Sequence, residues 1–402
     1  MQNHEFQITL GEIASFRRGV SYKGSELAES EADGTPMINL KSFTKEGKYR
    51  PEGIKFHNGI IREKDLIKPD EIILANTDLT KEGDILGAAV MLPVDLQQED
   101  IIGSHHTTIL KINDERVNPS FLTRIINSTK IRIEIKRYRR GATVKGITSK
   151  DLKNIVIRIP PLKEQKRITA ILAKADEIRK SVQNIQNIRS KLIDSIFFDM
   201  FGDPVINPNN YKFLNLVGLM SDGFQNGLYI PKNKYVDSGG VEMVHMSDAF
   251  YDIVQRGDLK QALLKDSEIT KYNLSSNNLL ITRRSLNYEG AAKSCRIPQS
   301  NTPLVFESSL IKLTPDEKVV NPTFLHFYIN NKRVREAYVY KFVTQSTISG
   351  INQKNLSQIP VMLPPIELQY KFMQNVEFLQ QIPDSMELSI SNLASINQEM
   401  LT

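Results

Sequence analysis

The chain carries one short sequence twice, as Asn118-Pro119-Ser120-Phe121-Leu122 and, 203 residues later, as Asn321-Pro322-Thr323-Phe324-Leu325. A second match follows at an offset of 204, where residues 146–165 and 350–369 share eight identities in twenty positions. Neither segment is of low complexity, and the matches keep their order. Because a period near 200 residues is too long for a solenoid repeat, the sequence predicts two domains of one kind.

The two halves also begin alike, with Leu10-Gly11 and Gly19 aligned to Val217-Gly218 and Gly227. Each half continues with short apolar runs that Gly, Asp, Asn and Pro interrupt, which is typical of short strands in a mixed, β-rich domain. One helix is expected over residues 119–138, with a proline in its first turn, and Pro322 opens its counterpart.

A long helix is predicted after each domain. Between Pro160-Pro161 and Gly202 there is no Gly or Pro, and apolar residues recur in steps of three and four, as in a heptad seam. The first seam is Ile168, Ile171, Ala175, Ile178, Val182, Ile185, Leu192 and Ile196, with Arg189 out of place. A helix from Lys163 to Asp199 is about 55 Å long. This length favours a coiled coil over a single helix packed on one domain.

The seam returns as Phe372, Val376, Leu379, Met386, Ile390, Leu393 and Met400. Pro383 takes the missing place and is expected to kink or interrupt the helix. Similar length and period allow the two helices to pair antiparallel within one chain, or with a second chain. The predicted fold class is α+β, with globular domains at 1–160 and 202–364 and coiled-coil helices at 161–201 and 365–402.

Composition excludes several classes of protein. Of the 402 residues, 40% are hydrophobic and 24% are charged, as in ordinary globular proteins. No apolar run reaches the ~18 residues of a membrane span, and residues 1–5 lack the features of a signal peptide. One cysteine, Cys295, excludes disulfides within the chain. A cytoplasmic protein is expected, and its net charge of +6 weakly favours a polyanionic partner.

Positive charge concentrates after the helix that begins at Pro119. Residues 129–145 hold seven cations against one acid, followed by small hydroxyl residues suited to phosphate. A weaker version stands at the same place in the second half, with Lys332, Arg333, Arg335 and Lys341, then Thr344, Gln345, Ser346 and Thr347. A solvated helix face is the simpler explanation of such a run, but its recurrence favours contact with nucleic acid.

The middle thirds of the halves differ most, and they carry Arg, Asn and Lys, the side chains that read base edges. The candidate DNA-contacting residues of the first half are Arg17, Arg18, Lys23, Asn76, Thr77, Lys81, His105, Arg137, Arg139, Arg140, Thr143 and Lys145. Those of the second half are Lys232, Arg283, Arg284, Asn287, Lys293, Lys341, Thr344 and Gln345. A duplicated frame with divergent loops suits two reading heads for two sequences.

The sequence offers no convincing catalytic or metal site. His105-His106 suggests a metal, but neighbours on a strand point to opposite faces, so joint ligation is not expected. Asn207-Pro208-Asn209-Asn210-Tyr211 lacks the second proline of the amino-methyltransferase motif and is better explained by a turn. No phosphate-binding Gly-x-x-x-x-Gly-Lys loop and no nucleophile elbow occur.

Three strings together resemble the specificity (S) subunits of type I restriction-modification enzymes. They are Leu10-Gly11-Glu12-Ile13, Ile159-Pro160-Pro161-Leu162-Lys163-Glu164-Gln165, and Phe197-Phe198-Asp199-Met200-Phe201-Gly202-Asp203-Pro204. Through the repeat the resemblance covers the whole chain. The last two strings are specific in combination and modest singly.

The resemblance implies that each globular half is a target recognition domain reading one part of a split, asymmetric double-stranded DNA site. It implies an antiparallel stalk that sets the gap, and methyltransferase (M) subunits that methylate adenine with S-adenosylmethionine. Restriction (R) subunits that use ATP and Mg²⁺ are a further partner in the family. The specificity subunit itself is not catalytic and binds no cofactor.

The second repeat departs from the family string, since Leu368 stands where the first has Glu164. This puts the docking of a second methyltransferase subunit in question. Two other functions stay open on the sequence alone. One is a coiled-coil scaffold that joins two protein-binding domains, and the other is a self-contained DNA-modifying enzyme.

Overall fold

The computed structural model describes residues 6–93, 96, 100–345 and 348–381. Within these ranges the chain forms two compact units, residues 6–182 and residues 183–381, which are called the first and second unit below. The division falls inside one long helix. None of the described helices is both long and apolar enough to cross a membrane.

The strands of the first unit are β1 (Phe6–Thr9), β2 (Ala14–Arg18), β3 (Leu27–Ala28), β4 (Thr35–Ile38), β5 (Lys55–His57), β6 (Ile72–Ala75), β7 (Thr77–Asp78), β8 (Ala89–Val90), β9 (Ile102–Gly103), β10 (Thr107–Ile112), β11 (Lys145–Gly146) and β12 (Val156–Ile159). The helices that begin in it are α1 (Leu10–Ile13), α2 (Pro119–Ile126), α3 (Thr129–Arg137), α4 (Ser149–Lys153) and α5 (Leu162–Phe201).

The strands of the second unit are β13 (Lys212–Asn215), β14 (Met220–Asn226), β15 (Tyr235–Val236), β16 (Val241–Val244), β17 (Gln261–Ala262), β18 (Leu279–Thr282), β19 (Arg284–Ser285), β20 (Ser294–Arg296), β21 (Leu304–Phe306), β22 (Leu310–Pro315), β23 (Ser349–Gly350) and β24 (Pro360–Leu363). Its helices are α6 (Asp266–Tyr272), α7 (Pro322–Asn330), α8 (Lys332–Val334), α9 (Gln353–Leu356) and α10 (Ile366–Gln380).

The two units have the same topology, strand for strand. In the first unit β2-β10-β6-β8 form an antiparallel sheet, β3-β5-β4-β9 form a second sheet, and β1-β12 and β7-β11 form pairs. The second unit repeats every one of these neighbours with the strand number raised by twelve. The parallel pairing also recurs, between β4 and β9 and between β16 and β21. The predicted duplication and the mixed, β-rich class are therefore confirmed.

Gly19 and Gly227 follow β2 and β14 and lie against the backbone of the neighbouring sheet. A Cβ atom at Gly19 would lie 2.2 Å from the Ser104 carbonyl oxygen, and one at Gly227 would lie 2.0 Å from that of Glu307. Neither position has room for a side chain. This close approach of two backbones explains why glycine occurs at both positions.

The sequence alignment of Leu10 with Val217 is wrong by one residue. The Leu10 N–H donates to the Ile155 carbonyl at 2.9 Å, and it is Leu216 that makes the equivalent bond, to Ile359 at 2.9 Å. Leu216 is fully buried while Val217 is half exposed. The buried side chain and its backbone hydrogen bond identify the equivalent positions.

Asn118 and Asn321 begin the equivalent helices α2 and α7. The Asn118 side chain accepts a hydrogen bond from the Phe121 N–H at 2.9 Å, and Asn321 accepts one from Phe324 at 3.1 Å. A proline follows each cap, where a missing N–H costs nothing. The repeated five-residue string is therefore a helix start in both units.

The single helix expected over residues 119–138 is two helices. The first ends at Ile126, and the second begins at Thr129 because the Ser128 side chain accepts a hydrogen bond from the Ile131 N–H at 3.4 Å. The second unit breaks at the same place, where Asn331 caps α8.

Gln165 and Gln369 fix the start of the two long helices. The Gln165 side chain accepts a hydrogen bond from the Asn118 N–H and donates one to the Pro160 carbonyl, both at 2.8 Å. The Gln369 side chain likewise accepts a hydrogen bond from the Asn321 N–H at 2.9 Å and donates one to the Pro364 carbonyl at 2.8 Å. Both side chains are fully buried, so each amide ties a long helix to its unit.

The predicted long helix is confirmed as α5, which has 40 residues. In the first unit its buried apolar residues include Ile168, Leu172 and Ala175. In the second unit they continue as Ile193, Phe197 and Phe201 at steps of four. Between these stretches Ile185, Ile188 and Leu192 are exposed. The helix ends at Phe201, and Gly202 follows with a φ of +75°, the left-handed conformation common just after a helix.

The described part of the second long helix packs within the second unit. The ring of Phe372 lies 5.6 Å from that of Phe197 and 5.4 Å from that of Phe201. The start of α10 thus contacts the end of α5. Leu368 packs against the same core, which accounts for an apolar residue there. Pro383 and the seam from Met386 onward lie outside the described residues.

Candidate nucleic-acid interface

The basic loop of the first unit, residues 137–146, and its counterpart in the second, residues 341–345 and 348–350, have the same backbone frame. In the first unit Gly146 pairs with Thr77 and also bridges to Arg140. In the second unit Gly350 pairs with Arg284 and bridges to Thr344. Each loop is therefore held beside the short strand that follows the central strand β6 or β18.

The second unit has an open groove of about 330 Å³ at this place. It is lined by Arg283, Arg284, Thr344, Ile348, Gly350, Ile351 and Asn352. Ile348, Ile351 and Asn352 were not among the sequence candidates. Their signal was positional, because they adjoin the repeated Gly-Ile pair at 350–351. A groove whose lining includes two arginines has a positive charge that attracts the phosphates of nucleic acid.

Most of the cationic candidates of the first unit are at the surface. The exposed side chains are Arg18, Lys23, Lys81, Arg137, Arg139, Arg140 and Thr143. Arg137 pairs with Glu134 at 2.6 Å, and Arg140 pairs with Asp151 at 3.1 Å. Exposed ion pairs of this kind contribute little to stability. Both arginines therefore stay accessible to a phosphate group.

Two candidates of the first unit are buried, contrary to the expectation that they face DNA. Asn76 donates from its amide to the Thr108 hydroxyl at 3.1 Å. Lys145 donates from its ammonium group to the Thr80 carbonyl at 2.8 Å. The corrected interpretation gives both residues a structural role, since Lys145 holds the loop after β7 and Asn76 ties the end of β6 to β10.

Two arginines of this region also have structural partners. Arg17 is half-buried and pairs with the buried carboxylate of Glu71. Arg132, which is one of the seven cations in 129–145, is buried and donates to the Asp84 carbonyl at 2.6 Å. The charge run overstates the positive surface because charge pattern alone does not reveal partners that are distant in sequence.

His105 and His106 lie in the turn between β9 and β10, and not on a strand as expected. Their rings are therefore only 3.9 Å apart, and Tyr22 lies 5.3 Å from His105. The Thr77 hydroxyl is 2.8 Å from Nδ1 of His106. Burial and the nearby Arg18 cation lower the pKa of His105, and burial lowers that of His106. Within the described residues, no group of three or more metal-binding side chains forms.

The candidates of the second unit divide in the same way. The exposed ones are Lys232, Arg284, Asn287, Lys341, Thr344 and Gln345, while Ser346 and Thr347 lie outside the described residues. Arg283 and Lys293 are half-buried. The Asn287 side chain accepts a hydrogen bond from the Gly290 N–H at 2.9 Å and so shapes its own turn.

Comparison with known proteins agrees with this duplicated, cationic frame. The family model described as the type I restriction modification DNA specificity domain matches residues 4–189 and again residues 208–398. The chain therefore belongs to this family. It is a specificity subunit, the predicted class, and neither the scaffold nor the self-contained enzyme is favoured.

Named relatives and a solved structure are similar over nearly the whole chain. The specificity subunit of the type I restriction enzyme EcoKI from Escherichia coli K12 is 24% identical, over 96% of this chain and 84% of that protein. That of StySPI from Salmonella potsdam is 22% identical, over 94% and 83%. The crystal structure of a type I S subunit from M. genitalium shares the fold, with a TM-score of 0.61, 14% identity and coverage of 100% and 96%.

Proposed function

We propose that the chain reads a split, asymmetric DNA site, with each unit taking one part. One observation carries this proposal. The units share every strand pairing, yet Thr77 in the first stands where Arg284 stands in the second. Threonine and arginine offer different hydrogen-bonding groups to a base edge. One frame that carries different side chains at equivalent positions therefore suits two different half-sites.

The proposal includes the assembly that the family resemblance implies. Methyltransferase (M) subunits dock on this chain and methylate adenine with S-adenosylmethionine, and restriction (R) subunits with ATP and Mg²⁺ are a further proposed component. No cofactor is assigned to this chain. The same proposal places the protein in the cytoplasm, where bacterial DNA lies.

A helical spacer is the second part of the proposal. The two long helices pair antiparallel and set the distance between the half-sites. Support comes from the contact of Phe372 at the start of α10 with Phe197 and Phe201 at the end of α5. The two helices meet at this point, where one ends and the other begins.

The test is a map of modified adenines in a host without DNA methylation. The chain is expressed with its methyltransferase subunit, and the subunit alone is the control. We expect a split, non-palindromic motif with a fixed gap that depends on this chain. Arg284→Ala is expected to change one part of the motif only, while Arg62→Ala, at an exposed ion pair with Asp65, changes neither. A palindromic motif, or methylation that ignores this chain, would contradict the proposal.

A further inference from the structure

Leu79 and Leu286 are exposed leucines at equivalent positions in the two units. Leu79 follows β7 directly and is 65% exposed, and Leu286 follows β19 directly and is 81% exposed. A single leucine at a protein surface has no special meaning. Its recurrence at one position of a duplicated frame, beside the basic loop in each copy, is the observation that calls for a function.

Different side chains hold the two leucines on fixed turns. In the first unit the Asp78 carboxylate accepts hydrogen bonds from the N–H groups of Thr80 and Ile85, both at 2.6 Å. In the second unit the Ser285 hydroxyl bonds to the Asn287 side chain at 3.0 Å, and that side chain holds the next turn of the loop. Both leucines therefore lie on loops that internal hydrogen bonds hold in shape, which reduces the ordering that binding would require.

The neighbours of both leucines are cationic or polar. Leu286 comes two residues after Arg284, which lines the groove of the second unit. Leu79 lies two residues before the exposed Lys81 and two after Thr77, which pairs with Gly146 of the basic loop. An apolar side chain among groups suited to phosphates and base edges matches the one apolar group of the DNA major groove, the thymine 5-methyl.

We propose that Leu79 and Leu286 each contact the thymine methyl of one base pair in the half-site that its unit reads. This inference rests on the proposed DNA-reading function. Under this inference both units use a leucine at the same position to contact a base. The polar residues beside it, Thr77 in one unit and Arg284 in the other, differ.

The experiment uses the full-length chain with its methyltransferase subunit and the duplex identified by the methylation map. Each thymine of a half-site is replaced in turn by deoxyuridine, which removes only the methyl group. We expect one replacement per half-site to weaken binding about fourfold, the ratio for one buried methyl-sized group. In Leu286→Ala the sensitive replacement of the second unit's half-site loses its effect, and in Leu79→Ala that of the first unit's half-site does.

Leu263→Ala is the matched control, because Leu263 is an exposed leucine of the second unit whose equivalent in the first is Asn58. It should leave every deoxyuridine effect intact. Equal deoxyuridine effects in the native chain and both leucine variants would overturn the inference. A different role would show in a duplex that carries 2-aminopurine, a base that fluoresces more when it is unstacked. If the native complex raises this fluorescence, Leu286→Ala abolishes the rise, and no deoxyuridine replacement has an effect, the leucine inserts between stacked bases and the inference is overturned. If the native complex binds no specific duplex, the proposed function itself fails, which is a separate outcome.

Discussion

Arg132 and Arg335 occupy the same position in the two units and hold the same loop. Arg132 donates to the Asp84 carbonyl at 2.6 Å, and Arg335 donates to the carbonyls of Ala291 and Ala292 at 2.6 and 3.0 Å. Both guanidinium groups are buried. The loops concerned follow β7 and β19 and carry the proposed base-reading side chains. Each unit therefore uses a buried cation to support the loop, while exposed cations remain for the proposed contact with DNA.

Removing the Arg335 side chain is expected to destabilise the protein. Arg335→Ala leaves buried carbonyl groups without donors, at a cost of roughly 3 kcal/mol in the free energy of unfolding. Urea denaturation followed by circular dichroism measures this cost. Arg333→Ala is the control, because Arg333 forms a half-exposed ion pair with Asp203, worth less than about 1 kcal/mol. Equal effects of the two variants would show that the buried bonds are unimportant.

The basic loop of the first unit is expected to contact phosphate. Changing Arg137, Arg139 and Arg140 together to alanine should weaken DNA binding for all sequences alike. It should also flatten the dependence of log K on log salt by about 0.9 for each phosphate that the variant no longer neutralises. Binding is titrated at several salt concentrations, with Arg62→Ala as the control. A slope identical to that of the native chain would remove this loop from the interface.

Shortening α5 is expected to shorten the gap in the recognised site. Deleting residues 183–189 removes about 10 Å and close to two helical turns, so the two ends of the helix keep nearly the same orientation. The methylation map should then show the same two half-sites with fewer bases between them. Deleting residues 184–185 instead rotates the ends by roughly 200° and should abolish modification. An active seven-residue deletion with an unchanged gap would disprove the spacer.

Acid is expected to destabilise the first unit through His105 and His106. Burial lowers the pKa of His105 and of His106 below the value of 6.5 that applies to the unfolded chain. Below pH 6.5 the unfolded state thus binds more protons than the folded one, so the free energy of unfolding decreases as the pH is lowered. In the double variant His105→Gln and His106→Gln, the melting temperature should depend less steeply on pH between pH 7.5 and 5.5. An unaltered slope would mean that other groups, such as buried His326, dominate.

The repeat was predictable because its identities fall on side chains that make the same hydrogen bonds twice. Asn127 and Asn330, for example, bond to the backbone N–H groups of Ala89 and Ser294 at 2.9 and 3.0 Å. Few other residues can make these hydrogen bonds. The two halves therefore have identical residues at these positions, while the apolar residues that pack around them differ. The one-residue error at Val217 arose because an apolar pattern alone does not distinguish the buried member of a neighbouring pair.

The basic segments of the candidate interface were predictable from the sequence, but the strands beside them and the cations that stay free were not. The location of the basic loop beside residues 76–78 and 283–285 follows from short strands that the sequence did not resolve. Which cations are free depends on partners far along the chain, as with Lys145 and the Thr80 carbonyl. Leu79 and Leu286 escaped notice because residue type gives no sign of exposure, and their equivalence emerges only when β7 and β19 are matched.

The buried amides of Gln165 and Gln369 fix the rotation of the two long helices about their axes. An α-helix turns by 100° per residue. A shift of one residue in the position of the helix would therefore rotate every exposed side chain by about 100° around the helix axis. With the glutamine seated on a backbone N–H and a proline carbonyl, only one angular setting satisfies the amide. Whatever docks along these helices therefore meets its contacts at an angle set by one side chain at the first turn.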